Sequence, residues 1–434
     1  MTSYRSLTRN HDFTVLWIGQ TISELGSRVS MFVFPLITYA MTGSALLAAL
    51  AEALHLLGLA GTLLPAGVLA DRLDRRRIMR IASGSGVLLY ASLAVAGAAG
   101  ALTVPHLLVV ALLTGAGAGL FAPAEISAVR TVVPTEDLPT ALSQNQARLH
   151  VAGLLGAPVG GLLYAVTRWL PFAADAVSFA VSWVLLGRLR ADLSAPRVEG
   201  PRRRPRHELA EGIRFIVSRP FFRVLTVWGA LTNLAINALF FVAVLRLIEG
   251  GFDPLHIGLV ETAAGVAGIV GAVLAPWIID RIATGWLTIA IAWSFLPLVV
   301  PMVLWNDPAV VAAALSLGLL LNPAGNAGIG SYRIAITPPA LLGRVQSTSQ
   351  FVSMSAMPLA PVLAGALLTT LGGGAAIAVL GALTALVALI PTLSTSVRSV
   401  PRPAAWERYE SAAASEPRAD AKAGTIGTPS SSAA

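Results

Sequence analysis

Long apolar segments separated by short polar connections follow one another along almost the whole chain. A helix needs about 20 apolar residues to cross a bilayer, and each segment reaches that length. The pattern predicts transmembrane helices at residues 13–41, 44–70, 78–100, 104–131, 141–167, 170–190, 220–248, 254–280, 284–305, 308–334, 341–371 and 373–396. We therefore predict an all-α membrane protein with twelve transmembrane helices.

The two halves of the chain repeat one another. Six residues of the first half recur 209 positions later: Phe13, Val15, Leu16, Glu52, Asp71 and Arg72 return as Phe222, Val224, Leu225, Glu261, Asp280 and Arg281. Such a duplication is typical of transporters whose binding site lies between the halves near the midplane. We expect two pseudo-symmetric six-helix bundles at 1–190 and 220–396, a basic cytoplasmic linker at 191–219, and a disordered cytoplasmic tail at 397–434.

Composition and charge placement support a membrane location. The chain of 434 residues is 55% hydrophobic and only 12% charged, whereas soluble domains are about one quarter charged. Its net charge of +8 comes from arginines concentrated at 72–77 and 197–219. Because cytoplasmic connections are enriched in arginine, both termini should be cytoplasmic. The same placement argues against nucleic-acid binding.

Several function classes are excluded by what the sequence lacks. There is no cysteine, the six histidines are scattered, and Lys422 is the only lysine. A phosphate-binding Walker A loop needs a lysine, so the chain is not an ATP-driven pump by itself. No catalytic grouping or metal-ligand spacing is visible, so we expect neither an enzyme nor a cofactor or metal site.

The connection at 67–77 carries the strongest local motif, GVLADRLDRRR. This motif resembles the signature loop of the major facilitator superfamily. We predict a conformational latch there, in which glycine permits close helix approach and the carboxylate pairs with an arginine or caps a helix. Its candidate residues are Gly67, Asp71, Arg72, Arg76 and Arg130. The alternative is a cluster that only sets membrane topology.

The segment at 141–167 contains GLLGAPVGG, which resembles the antiporter motif of drug exporters in the same superfamily. Glycines let helix backbones touch, and a proline frees a carbonyl, so the motif favours a bendable helix where the halves meet. Ordinary membrane packing is the alternative. The motif residues are Gly153, Gly156, Pro158, Gly160 and Gly161.

Further short motifs narrow the resemblance to the branch that includes macrolide exporters and the enterobactin exporter. These motifs are LWIGQ at 16–20, TGS at 42–44, DAVSF at 175–179 and GRV at 343–345. The resemblance implies a proton-linked antiporter of the bacterial inner (plasma) membrane, with small-molecule substrate, protons and lipid as its partners. It implies export of drugs, antibiotics or siderophore-like metabolites by alternating access. We expect a monomer.

Ionisable residues deep in the membrane are costly and need a partner or a role. Glu24 lies about 17 Å into the first helix at 1.5 Å per residue, and Arg28 follows on the same face. With Glu52 they form a predicted proton or substrate site. The alternative for Glu24 and Arg28 is a neutralising ion pair, and for Glu52, which Glu261 repeats, a structural role.

Position within the helices predicts the roles of the other polar residues. Arg148 lies before the glycine-proline motif, where it is expected to meet Asp71 or an acidic substrate. Glu125 and Asp175 lie nearer helix ends, which favours interfacial anchoring. Two pairs at helical spacing are candidates for the cavity wall, with helix–helix hydrogen bonding as the alternative: Asn233, Asn237, Asn322 and Asn326. Aromatic candidates for the wall are Trp17, Phe32, Phe34, Tyr39, Phe240 and Phe241.

Other functions on the same fold remain open at this point. A nutrient symporter or uniporter would use the same helices, and in a sensor or lipid flippase the deep charges would serve packing alone. Broad apolar cavities adapt to many ligands, so the sequence does not identify a substrate.

Overall fold

The computed structural model describes residues 7, 9–70, 73–134, 137–194, 205–338, 341–406 and 408. Within them the chain is helical and has no β-strand. The helices are α1 His11–Thr42, α2 Ala45–Ala70, α3 Arg75–Ala98, α4 Val104–Val132, α5 Leu138–Val166, α6 Leu170–Gly187, α7 Pro205–Ser218, α8 Pro220–Glu249, α9 Pro254–Arg281, α10 Thr284–Trp293, α11 Leu296–Leu304, α12 Pro308–Leu319, α13 Asn322–Ala335, α14 Leu342–Ser355, α15 Leu359–Leu371, α16 Gly373–Leu393 and α17 Thr395–Arg398.

These helices account for all twelve predicted segments, with ends within about three residues of the prediction. Among the described residues, eleven helical segments are long and apolar enough to cross a bilayer. The twelfth segment is α1, whose 32 residues include the polar groups Gln20, Glu24 and Arg28. Gln20 donates a hydrogen bond to Ser182 of α6, and Glu24 and Arg28 face the interior cavity rather than lipid.

Three predicted segments are each broken into two helices, a feature that the apolar pattern did not predict. The breaks lie between α10 and α11, α12 and α13, and α14 and α15. Pro297 and Pro323 begin the second helix of the first two pairs, and Pro358 directly precedes α15. Proline has no N–H to continue the preceding helix, so each break coincides with a proline that permits it.

The connection at 191–219, predicted as a basic cytoplasmic linker, contains a helix. Its residues 205–218 form α7. In α7, Ile216 is buried, and Glu211 forms an ion pair with Arg344 at the start of α14. The connection is therefore attached to the second half of the chain.

The sequence repeat is visible in the packing. Phe13 and Leu16 of α1 lie in a buried apolar cluster, and their counterparts Phe222 and Leu225 of α8 lie in a separate one. Both clusters lie at the end of the molecule that carries the connections at 73–74 and 188–194, which we call the arginine-rich end. Equivalent positions thus make equivalent contacts in the two halves.

Short turns connect the helices at the opposite end. Between α1 and α2 only Gly43 and Ser44 intervene. Gly43 has φ 64, a left-handed conformation that glycine adopts without strain, and its N–H donates to the carbonyl oxygen of Tyr39. This turn reverses the chain within two residues.

Candidate functional site

A cavity of about 980 Å³ lies between the two halves. Most of its lining comes from α1 to α5, and α8, α9 and α15 close the other side. Exposed residues line its mouth near the connection between α4 and α5, namely Arg130, Leu142 and Gln146. The cavity therefore opens toward the arginine-rich end.

Direct contact between the halves closes the opposite end. A methyl group on Gly161 of α5 would lie 2.7 Å from the Pro254 oxygen at the start of α9, and one on Gly258 of α9 would lie 2.6 Å from the Ala157 oxygen. Such distances are shorter than van der Waals contact, so only glycine fits at these positions. A second contact joins α15 to α2, where Gly365 lies against Ala49.

The predicted antiporter motif forms much of this contact. Gly156 and Gly160 face α1, where an added methyl group on Gly156 would overlap the Arg28 side chain. Gly161 faces α9, and Pro158 lies against Gly258 of that helix. Gly153 instead borders the cavity, with open space beside it. Helix α5 therefore packs on both halves at once.

The cavity walls are mainly aromatic and aliphatic. Three of the predicted aromatic residues line it, namely Phe32, Phe240 and Phe241. Phe34 instead packs in the core, with its ring 5.4 Å from that of Phe172. Trp17 and Tyr39 pack beside the apolar clusters. The walls suit an apolar or aromatic ligand.

Among the described residues, four glutamates and three arginines line the cavity: Glu24, Glu52, Glu125, Glu261, Arg28, Arg130 and Arg148. Arg28 Nε lies 2.9 Å from Glu24 Oε1, so the pair predicted from the helical spacing is present. The side chains of Arg28 and Glu24 are 41% and 25% exposed, which places the pair at the cavity surface. Glu52 is buried and lies within electrostatic range of Arg28 without forming an ion pair.

Among the described residues, Arg148 forms an ion pair with Glu125. Its Nη2 donates to Glu125 Oε1 at 2.8 Å, and both side chains are largely buried. Asp71 lies outside the described residues. The interfacial position expected for Glu125 is therefore incorrect, because α4 turns this residue toward α5 and the cavity. Nε and Nη1 of Arg148 have no hydrogen-bond partner among the described residues.

Asp175 was also expected at the membrane interface, and the structure places it in the core. It is fully buried, and Ser178 Oγ donates to its Oδ1 at 2.8 Å. A methyl group on Gly26 of α1 would overlap both of these side chains. Asp175 therefore lies in the packed contact between α6 and Gly26 of α1 rather than at the membrane interface.

One of the four predicted asparagines lines the cavity. This residue is Asn237, whose Nδ2 donates to the backbone oxygen of Asn233 at 2.7 Å. In α13, Asn326 donates to Asn322 Oδ1 at 2.5 Å, away from the cavity lining. Both pairs are therefore hydrogen-bonded within their own helices, and Asn237 also faces the cavity.

The predicted latch is only partly described. Asp71 and Arg72 lie outside the described residues, and Gly67 belongs to the last turns of α2. Arg76 donates to the backbone oxygen of Ala191, which ties α3 to the chain beyond α6. Arg130 lies at the cavity mouth.

Comparison with known proteins finds efflux proteins among the relatives of this chain. The chain is 25% identical over 388 residues to the multidrug efflux pump Tap of Mycolicibacterium fortuitum, covering 84% of this chain and 91% of the relative. It is 24% identical over 275 residues to macrolide efflux protein A of Streptococcus pyogenes, covering 60% of this chain and 65% of that protein.

A solved structure shares the fold. A bacterial homologue of the iron transporter ferroportin, in an inward-facing state, superposes with a TM-score of 0.68 at 18% identity, covering 89% of this chain and 98% of the homologue. The family model of the Major Facilitator Superfamily matches residues 16–283. With its relatives among drug exporters, this multi-pass membrane transporter belongs to the Major Facilitator Superfamily.

Proposed function

We propose that this protein is a proton-coupled antiporter that exports amphipathic small molecules, such as drugs, antibiotics or siderophore-like metabolites, by alternating access. One observation carries the proposal: a cavity with aromatic walls lies between the halves and contains four carboxylates against three guanidinium groups. Such a cavity accepts the apolar part of a ligand on its walls and a positive charge, or protons, on its carboxylates.

The direction of opening fits the loading step of an exporter. Arginine-rich connections remain on the cytoplasmic side of bacterial membranes, so we infer that both termini and the cavity mouth are cytoplasmic. A substrate would then enter from the cytoplasm or the inner leaflet. Rocking of the bundle at 1–190 against the bundle at 220–396 would open the contact between α5 and α9 and release the substrate outside. We propose that a single chain is the transport unit.

Four cavity residues are the candidates for coupling. Glu24, Glu52 and Arg28 form a charged group on α1 and α2, in which protonation of a carboxylate would release Arg28 or a bound cation. Two nitrogens of Arg148 have no partner among the described residues and can donate to an acceptor group on the substrate. In this proposal the latch at Gly67, Asp71, Arg72, Arg76 and Arg130 stabilises the state described here. The names of the relatives Tap and macrolide efflux protein A agree with export.

The test is dye efflux driven by a proton gradient, in cells that express wild type or Glu24→Gln. We expect the variant to lose most of the efflux at equal abundance in the membrane. Glu249→Gln is the matched control, because Glu249 is an exposed residue at the end of α8, outside the cavity lining. Accumulation of the dye in wild-type cells, or efflux that persists after the proton gradient is collapsed, would contradict proton-coupled export.

A further inference from the structure

Two glutamates from repeat-related positions line the same cavity. Glu52 lies on α2 and Glu261 on α9, separated by the same 209 positions that relate Phe13 to Phe222. Both line the cavity, one from each half of the molecule. The sequence repeat alone does not require this meeting, because equivalent residues could equally face lipid on opposite sides of the molecule.

These two carboxylates are not neutralised by direct partners. Glu52 is 8% exposed, and neither glutamate has a hydrogen-bond or ion-pair partner among the described residues. Each interacts electrostatically with Arg28, and Glu52 also with Glu261. Since Arg28 also forms an ion pair with Glu24, three carboxylates interact with one guanidinium group. A buried carboxylate without a partner is costly, so the site favours an added positive charge.

Besides Arg28, the positive side chains among the described lining residues are Arg148, which is paired with Glu125, and Arg130 at the cavity mouth. On α2, His55 lies one turn beyond Glu52 and contacts Thr114 of α4. The Arg148 guanidinium of α5 is bonded to Glu125 of α4. The lining residues of α8 and α15 carry no charge: Asn237, Phe240, Phe241, Val244, Ala360 and Pro361. The pair is therefore bordered by aromatic rings, which suit a lipophilic cation.

We propose that Glu52 and Glu261 form one cation site shared by the two halves, which binds protons before substrate arrives and exchanges them for the positive group of the substrate. This inference rests on the proposed export function and names its substrate class as lipophilic cations. The exchanged protons leave through the cavity mouth, and no covalent bond changes. Because the carboxylates belong to different halves, any rocking motion alters their separation and so the affinity of the site. A cation between them attracts both halves, whereas two ionised carboxylates repel each other.

The direct test is proton release on binding, measured with purified full-length protein in weakly buffered detergent solution. Tetraphenylphosphonium is the probe, and a pH-indicating dye reports released protons. We expect release from wild type and Glu249→Gln, and at most half of it from Glu52→Gln or Glu261→Gln. Each single variant should also bind the probe about tenfold more weakly. The double variant should be at most about twofold weaker than the poorer single variant, because both groups serve one site.

The chain contains no cysteine, which allows a second measurement of the same pair. A Glu52→Cys and Glu261→Cys double variant should be crosslinked by a short bifunctional thiol reagent, and a Glu52→Cys and Glu249→Cys pair should not. If a glutamine variant fails to elute as a single species, Glu52→Asp and Glu261→Asp take its place and should retain proton release.

The outcomes separate this inference from the proposed function. Equal proton release from wild type and Glu261→Gln, or fully additive losses in the double variant, would overturn the shared site while leaving proton-coupled export intact. Proton release on binding that depends on both glutamates, in a protein whose transport moves no protons, would support the site and overturn the antiport mechanism.

Discussion

Replacement of Gly161 by alanine tests whether the contact between α5 and α9 holds the described state. The added methyl group would lie 2.7 Å from the Pro254 oxygen and 2.9 Å from the Leu255 Cα. Nonbonded carbon atoms prefer about 3.5–4.0 Å, so the two backbones would have to separate by roughly 0.7 Å. Overpacking of this kind costs about 1–3 kcal/mol.

In the alternating-access scheme, this overpacking destabilises only the state that is open at the arginine-rich end. The population should therefore shift by about 5–150-fold toward the state that is open at the opposite end. The higher helix propensity of alanine, about 1 kcal/mol, stabilises both states and cancels from the ratio.

Distance measurement between two spin labels follows this shift. Met41 at the end of α1 and Leu371 at the end of α15 are exposed at the opposite end and belong to different halves. Cysteines placed there would carry the labels without background, since the chain has no other thiol. Double electron–electron resonance should show a longer-distance population that grows in Gly161→Ala.

Gly153→Ala is the matched control, because it adds the same methyl group to the same helix in open space. It should leave the distance distribution unchanged. Identical distributions for Gly161→Ala and Gly153→Ala would show that this contact does not decide which end is open, and the reasoning from close packing would fail.

Three further predictions concern the buried pair, the core and the topology. Removing one member of a buried ion pair costs about 3–5 kcal/mol, so Arg148→Gln should lower stability strongly, and adding Glu125→Gln should recover most of the loss in thermal unfolding. Gly26→Ala overlaps side chains of α6 and should lower the Tm in detergent by several degrees. A thiol at Gln146 should react with an impermeant reagent only in inside-out vesicles, and one at Ala101 only in right-side-out vesicles.

Each of these predictions has its own control. Gly61→Ala adds a methyl group in open space and should leave the Tm unchanged. A double variant of Arg148 and Glu125 as unstable as Arg148→Gln alone would argue that the arginine, not the uncompensated carboxylate, carries the stability. Labelling of both introduced thiols from the same side would contradict the topology on which the export direction rests.

The twelve segments could be predicted because bilayer thickness fixes the length of each apolar run. The breaks within the second half could not, although their prolines are visible in the sequence. Pro123 and Pro276 lie inside α4 and α9 without interrupting them. Neighbouring helices and polar side chains can satisfy the carbonyl that a proline frees, so whether a helix breaks depends on packing partners rather than on the proline itself.

In the candidate site, too, a contact within one helix could be predicted from the sequence, whereas a contact between helices could not. Glu24 and Arg28 could be paired from the sequence because a spacing of four fixes their relative position on one helix. Glu125 and Arg148 lie on different helices, and nothing in either segment specifies how the helices are rotated toward each other. Position along the helix suggested an interface for Glu125, whereas rotation of α4 placed it against Arg148.

Symmetry explains how the charge in the cavity is distributed. The spacing of 209 relates Glu24 to Asn233 and Arg28 to Asn237, so a charged pair on α1 corresponds to a neutral hydrogen-bonded pair on α8. Among the described lining residues the second half contributes one charge, Glu261. A cation at the centre would therefore interact with carboxylates of both halves but meet guanidinium groups only from the first. A cation bound between Glu52 and Glu261 attracts both halves, so cation binding would favour closure of the cavity mouth.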